Sequence, residues 1–155
     1  MAKLGRDFRT GEVHPIDCNL LDLVHTLGRV VGGGKPVQLI SAYRSPKTNA
    51  KLAAKSSGVA KRSLNMQGKA FDIRIPDVSA RDIYKAAIAL KGGGAGLYAR
   101  SNFVHVDTGR VRRWVASAGS RLFRAARSRW FSRLIARVTS GLAQAPSGGA
   151  SPNRT

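Results

Sequence analysis

The sequence predicts an α+β domain, a small and mostly antiparallel sheet flanked by helices, with a basic extension at its C-terminus. Helix-like runs come first and short strands with tight turns follow, an order typical of this class. Size agrees: 155 residues with 43% hydrophobic content supply one core and one domain. The chain also changes character after Trp114, where acidic residues cease and arginines continue.

Residues 1–16 read as an irregular lead-in. Asp17 caps a helix running to about Val31, with Leu20, Leu21, Leu23, Val24 and Leu27 crowding one broad face. The run Gly32-Gly-Gly34 ends it. Cys18 lies in this apolar run and is expected as a buried free thiol; a lone cysteine excludes an internal disulfide. Val37–Tyr43 reads as a buried strand. Ser45-Pro46 opens a second helix over Thr48–Ser56, with proline favourable in the first turn, and Gly58 stops it. Ala60–Gly68 is a loop, and Lys69–Ile75 is a strand closed by Pro76. Ser79 caps a third helix, marked by Ile83, Ala86, Ala87 and Leu90, to about Lys91. After the turn Gly92-Gly-Gly94, two short strands, Gly96–Ala99 and Asn102–Asp107, form a hairpin. There is no internal repeat.

The formal charge is +19, from 27 Lys and Arg against 8 Asp and Glu. All acids lie between Asp7 and Asp107, so residues 1–114 carry +12 and residues 115–155 carry seven arginines and no acid. Such a field favours a polyanion: nucleic acid, anionic lipid or an acidic cell-wall polymer. A basic proteome or a non-native tail is the plain alternative. Ser120–Leu142 is helical by propensity, and Trp130, Leu134 and Val138 cluster on a helical wheel. Arg127 lands among them, which argues against a membrane-surface helix. The chain therefore divides into a domain over 1–114, an Arg-rich extension over 115–142 and a Gly/Ser/Pro-rich tail over 143–155, the last expected to be disordered. The N-terminus has no apolar signal core, and no run approaches the ~20 apolar residues of a membrane span. Read literally, that is a cytoplasmic chain.

The chemistry concentrates in Ser63-Leu-Asn-Met-Gln-Gly-Lys-Ala-Phe-Asp72 and Phe103-Val-His-Val-Asp107. Strand alternation places Phe103, His105 and Asp107 on one face. A carboxylate from one strand and an imidazole from another can share a metal, and a catalytic zinc takes three protein ligands with a fourth position open. Asp72 and His105 are two candidates. The turn before Asp72 offers Asn65 where a third would stand. The plainer readings are a capping carboxylate and a structural histidine. His14 and His25 read as structural or surface residues, and no carboxylate cluster supports a two-metal nuclease.

The pattern Ser63-x-x-x-x-Gly68-x-Ala70-x-Asp72, followed by a strand histidine, resembles the zinc peptidases of the M15 class. Four longer blocks narrow it: Ile40-Ser-Ala-Tyr-Arg-Ser-Pro46, Gly58-Val-Ala60, Gly68-Lys-Ala-Phe-Asp-Ile-Arg74 and Ser101-Asn-Phe-Val-His-Val-Asp-Thr-Gly109. These resemble the murein endopeptidase K branch, also known as domain of unknown function 882, over roughly Arg6 to Trp114.

The resemblance implies the M15, Hedgehog-like zinc peptidase fold. It implies one zinc per chain, hydrolysis of amide bonds in peptidoglycan stem peptides or their cross-links, and a place in the periplasm or cell envelope. The family's zinc ligands, His, Asp and a strand His, fall on Asn65, Asp72 and His105. Asn65 departs from the pattern, and an amide oxygen is a weak zinc donor, so weakened zinc binding and impaired activity are expected. Arg44 takes the place of an arginine that clamps a carboxylate or stabilises the oxyanion. Ser63 and Gln67 are candidates for hydrogen bonds to substrate or to a ligand. Several relatives carry a carboxylate three residues before the last ligand, where this chain has Asn102. Asp107 is the candidate general base, or else it orients His105 or caps the Thr108-Gly109 turn. Two other functions follow the same residues: a metal-free peptidoglycan-binding pseudoenzyme, and a polyanion-binding protein acting through its basic tail.

Overall fold

A computed structural model describes residues 4–55 and 59–116. Three helices are formed by Cys18–Gly32 (α1), Pro46–Lys55 (α2) and Ala80–Leu90 (α3). Five strands, Gln38–Ser41 (β1), Ala70–Arg74 (β2), Gly94–Tyr98 (β3), Phe103–Asp107 (β4) and Arg112–Val115 (β5), make one sheet in the order β1-β2-β4-β3-β5. Every pairing is antiparallel except β3 with β5. The fold is the expected α+β class, with the β3–β4 hairpin in place.

Local chemistry explains the helix ends. The Asp17 side chain accepts from the Asn19 amide at 3.0 Å and so caps α1, and Gly33 closes it in the left-handed region at φ 58°. The Asp17 carboxylate also accepts from the Thr108 hydroxyl at 2.7 Å, tying the helix start to the end of β4. Ser79 caps α3 by accepting from the Asp82 amide at 3.1 Å, and its hydroxyl donates to the Asp82 carboxylate at 2.6 Å.

Strand alternation separates core from site. Phe71 and Ile73 of β2, Leu97 of β3, and Val104 and Val106 of β4 join Leu20 and Leu27 of α1 and Ile83 of α3 in one cluster. Each is 2% exposed or less. Burying each such side chain contributes about 1.5–3 kcal/mol. The intervening residues Asp72, Phe103, His105 and Asp107 therefore point to the other face, where the chemistry gathers.

The structure departs from the sequence reading in five places. The strand read as buried over Val37–Tyr43 is Gln38–Ser41, and all four of its residues are half-buried. Cys18 is exposed, not buried. It starts α1 on the stripe shared with the exposed Asp22, His25 and Arg29, turned away from Leu20 and Leu27. The lead-in is ordered by an Arg6–Val13 bridge, and Asp7, 1% exposed, accepts from the Ser45 amide at 2.8 Å. Burial raises the Asp7 carboxyl, but hydrogen bonds led by Ser45 outweigh it and hold it down at about 2. Part of the expected loop before β2 is a 3-10 turn over Leu64–Gln67. Arg112–Val115 adds the strand β5, which the sequence reading did not foresee.

Gly96 explains how β5 fits. A Cβ there would lie 2.3 Å from the Trp114 ring, so the bare backbone lets the indole lie across β3 beside His105. The helix stop assigned to Gly58, and the Arg-rich extension and tail from residue 117 onward, lie outside the described residues.

Candidate active site

Asp72 and His105 are directly opposed in the β2–β4 register. His105 Nδ1 lies 2.8 Å from Asp72 Oδ1, and its Nε2 lies 3.2 Å from Asp107 Oδ2. With a carboxylate at each nitrogen the ring is set up to carry both protons. Burial pulls the His105 pKa down, but the bonds to Asp107 and Asp72 and their charges win and lift it to about 9.

Asp107 is fully enclosed. Its Oδ1 accepts from the amides of Gly94 at 3.1 Å and Gly109 at 2.8 Å, and Arg112 donates to both of its oxygens at 3.0 and 2.8 Å. Burial raises this carboxyl, yet the bonds from His105, Arg112 and the Gly109 amide outweigh it and keep it well below the usual carboxylate range.

Arg44 follows β1 and is 6% exposed. Its Nη1 donates to Asn49 Oδ1 at 3.2 Å, and its Nη2 lies 3.9 Å from Asp72 Oδ2. Burial lowers the guanidinium's pKa and the charge of Asp72 opposes that shift. Charges thus alternate from Arg44 through Asp72, His105 and Asp107 to Arg112.

Asn65 sits in the 3-10 turn, 1% exposed. Its Nδ2 donates to the Ala42 carbonyl at 3.0 Å and the Ala70 carbonyl at 3.1 Å, and its Oδ1 accepts from the Ser63 hydroxyl at 3.0 Å. Only the amide nitrogen can face two carbonyls, so this orientation is fixed by the acceptors. The side chain stitches the chain just after β1 to the first residue of β2, and its main-chain carbonyl accepts from the Arg44 amide at 3.0 Å.

These side chains share a cavity of about 260 Å³, whose lining includes Arg44, Ser63, Asn65, Asp72, His105 and Trp114. Of the residues singled out in the sequence, Asp107 stands behind His105 and does not line the cavity. Ser63 lines it, but its hydroxyl already serves Asn65, donating to Oδ1 and accepting from the amide at 3.3 Å. Gln67 is exposed at the end of the 3-10 turn and is not among the lining residues. Sequence reasoning missed Asn49, Arg62, Arg112 and Trp114. None of these carried a strand signal: Arg112 and Trp114 share one face of β5, but the run Arg112-Arg-Trp-Val115 does not alternate polar with apolar.

A family model described as peptidoglycan L,D-endopeptidase MepK, of the M15 peptidases, matches residues 1–114. The chain belongs to this M15 family. Among similar proteins, the peptidoglycan L,D-endopeptidase MepK of Escherichia coli strain K12 is 47% identical over 117 residues, 74% of this chain and 64% of that protein. The probable peptidoglycan L,D-endopeptidase MepK of Haemophilus influenzae is 43% identical over 112 residues, 72% of this chain and 60% of that protein. The chain spans less than two thirds of the length of these relatives. No solved structure matches it.

The M15 class implies a zinc ion, and the side chains present do not make its three-ligand site. Asp72 and His105 are suitable donors. The third position holds a neutral amide whose oxygen and nitrogen are already engaged. Among the described residues, no group of three or more His, Cys, Asp or Glu comes together to hold a metal.

Proposed function

We propose that the chain acts on peptidoglycan as an M15-type endopeptidase. It recognises stem peptides or their cross-links in the Arg44–Asp72–His105 cleft, and its amide-bond hydrolysis is impaired by Asn65. The observation that carries this reading is the gathering of Arg44, Asp72, His105 and Asn65 on one cavity. The names of the 47% and 43% identical relatives support the substrate class.

Each residue has a role in this reading. Arg44, held between Asn49 and Asp72, presents a fixed positive charge to a substrate carbonyl or carboxylate. Asp107 orients His105, because all its oxygen contacts are internal and it does not reach the cavity. Zinc has two suitable donors, Asp72 and His105, so its affinity is weakened. An activity on peptidoglycan implies a place in the cell envelope. Among the described residues, no helix is long and apolar enough to cross a membrane.

The full commitment of the Asn65 amide favours a second reading, a metal-free peptidoglycan-binding protein. One experiment separates them. The full chain is incubated with purified sacculi, with and without added zinc, and both retention and released muropeptides are measured. Retention with slow, zinc-stimulated release supports the impaired enzyme. Retention without release at any zinc level selects the binding protein. No retention sinks both.

A further inference from the structure

We infer that Arg62, on the wall of the cavity, binds a carboxylate of the peptide substrate and so sets specificity for an acidic stem peptide. This rests on the stem-peptide reading above and deepens it.

Three arginines, Arg44, Arg62 and Arg112, line the cavity against one aspartate, Asp72. Two of the three are already engaged. Arg44 is buried between Asn49 and Asp72. Arg112 spends its guanidinium on Asp107 and on the Arg110 carbonyl, at 3.3 Å, and lies over the Trp114 ring. Arg62 is exposed and makes no hydrogen bond or ion pair with any described residue.

Its backbone is held on both sides, and its side chain has no partner among the described residues. Asn49 Nδ2 donates to the Ala60 carbonyl at 3.1 Å and the Lys61 carbonyl at 3.3 Å, and Ser63 is fixed as the cap of the 3-10 turn. The same Asn49 accepts from Arg44, so one side chain sets the position of both arginines. A cation on a fixed stem beside a concave wall is pre-organised for an anion, and a cavity with three arginines against one aspartate concentrates it. The planar guanidinium matches a carboxylate with two parallel N–H bonds. Stem peptides carry free carboxylates beside their amide bonds. An uncharged peptide gains nothing from Arg62.

The test uses the full chain and two synthetic probes, the tripeptide L-alanyl-γ-D-glutamyl-meso-diaminopimelate and its fully amidated counterpart. Binding is read by titration calorimetry for the unsubstituted protein, Arg62→Gln and Arg62→Lys. The expected result is preference of the unsubstituted protein for the acid, a roughly tenfold loss of acid affinity in Arg62→Gln, and unchanged amide affinity. Arg62→Lys should retain only part of the preference, because an ammonium keeps the charge and loses the paired N–H bonds. Equal binding of acid and amide by the unsubstituted protein overturns the proposal. So does an Arg62→Gln variant that binds the acid normally, or one that loses both probes alike. Those outcomes leave stem-peptide recognition standing. Failure of the unsubstituted protein to bind either probe overturns that recognition and the Arg62 subsite together.

Discussion

Asp72 and His105 face each other across neighbouring antiparallel strands, with Nδ1 and Oδ1 2.8 Å apart. The two residues proposed as metal ligands are thus brought together by sheet register alone. The third proposed position lies on a short turn, where the Asn65 side chain bonds to the backbone. An imidazole has one N–H when neutral, so it can serve one carbonyl and keep its other nitrogen for a metal. Asn65 instead satisfies two carbonyls.

Restoring the imidazole should exchange structural bonding for metal binding. In Asn65→His, one of the Ala42 and Ala70 carbonyls loses its donor, which costs on the order of 1 kcal/mol without metal. Zinc affinity should rise by at least ~10–100-fold, the scale seen for losing even outer partners of a ligand. Zinc should then raise the thermal midpoint of the variant, because a ligand bound only by the folded state stabilises it. Zinc per chain after dialysis, the midpoint with and without zinc, and muropeptide release would be measured for both proteins. A chain with Asn65 that already keeps one zinc and cleaves equally well contradicts this account.

The facing of Asp72 and His105 was legible in the sequence because strand alternation is strict: Val104 and Val106 go to the core, so His105 and Asp107 go to the other face. The hidden parts share a different cause. Arg112 turns a charged side chain inward to meet Asp107, so β5 lacks the hydrophobic-in pattern that marks a strand. Asn49 and Arg62 owe their placement to a loop whose path depends on contacts 11 and 12 residues apart, which no short-range pattern encodes. Cys18 misled because the leucine-rich run that follows it is apolar while its own position on α1 faces solvent.

His105 makes stability depend on pH with a definite sign. Its pKa is raised from the ordinary 6.5 to about 9, so its contribution is fully present below about 6.5 and is lost as pH rises through about 9. The shift corresponds to a loss on the order of 3 kcal/mol across that window. Replacing Asp107 with Asn removes one of the two carboxylates, so the His105 midpoint should fall and the stability slope flatten. It also leaves Arg112 without its charge partner, so stability should drop at every pH and the slope is the informative quantity. Ring-proton NMR and urea midpoints from pH 6 to pH 10 test this. An unchanged His105 midpoint in Asp107→Asn would remove Asp107 from the orienting role.

The basic extension should contribute charge and not the fold. Residues 115–155 hold seven arginines and no acid. The sheet ends at Val115, with a last hydrogen bond from the Ala116 amide to the Leu97 carbonyl at 2.9 Å. A chain cut after Ala116 therefore keeps every strand pairing among the described residues while losing all seven arginines. Its thermal midpoint should stay within about 2 °C, the scale expected when well under 1 kcal/mol is lost. Retention on DNA or on an anionic wall polymer should drop sharply. For the full chain that retention should fall steeply with added salt, because binding releases counterions from the polymer. Salt-independent retention would remove the polyanion role. A shortened protein that unfolds or aggregates would show that the apolar side chains Trp130, Phe131 and Leu134 are needed by the domain.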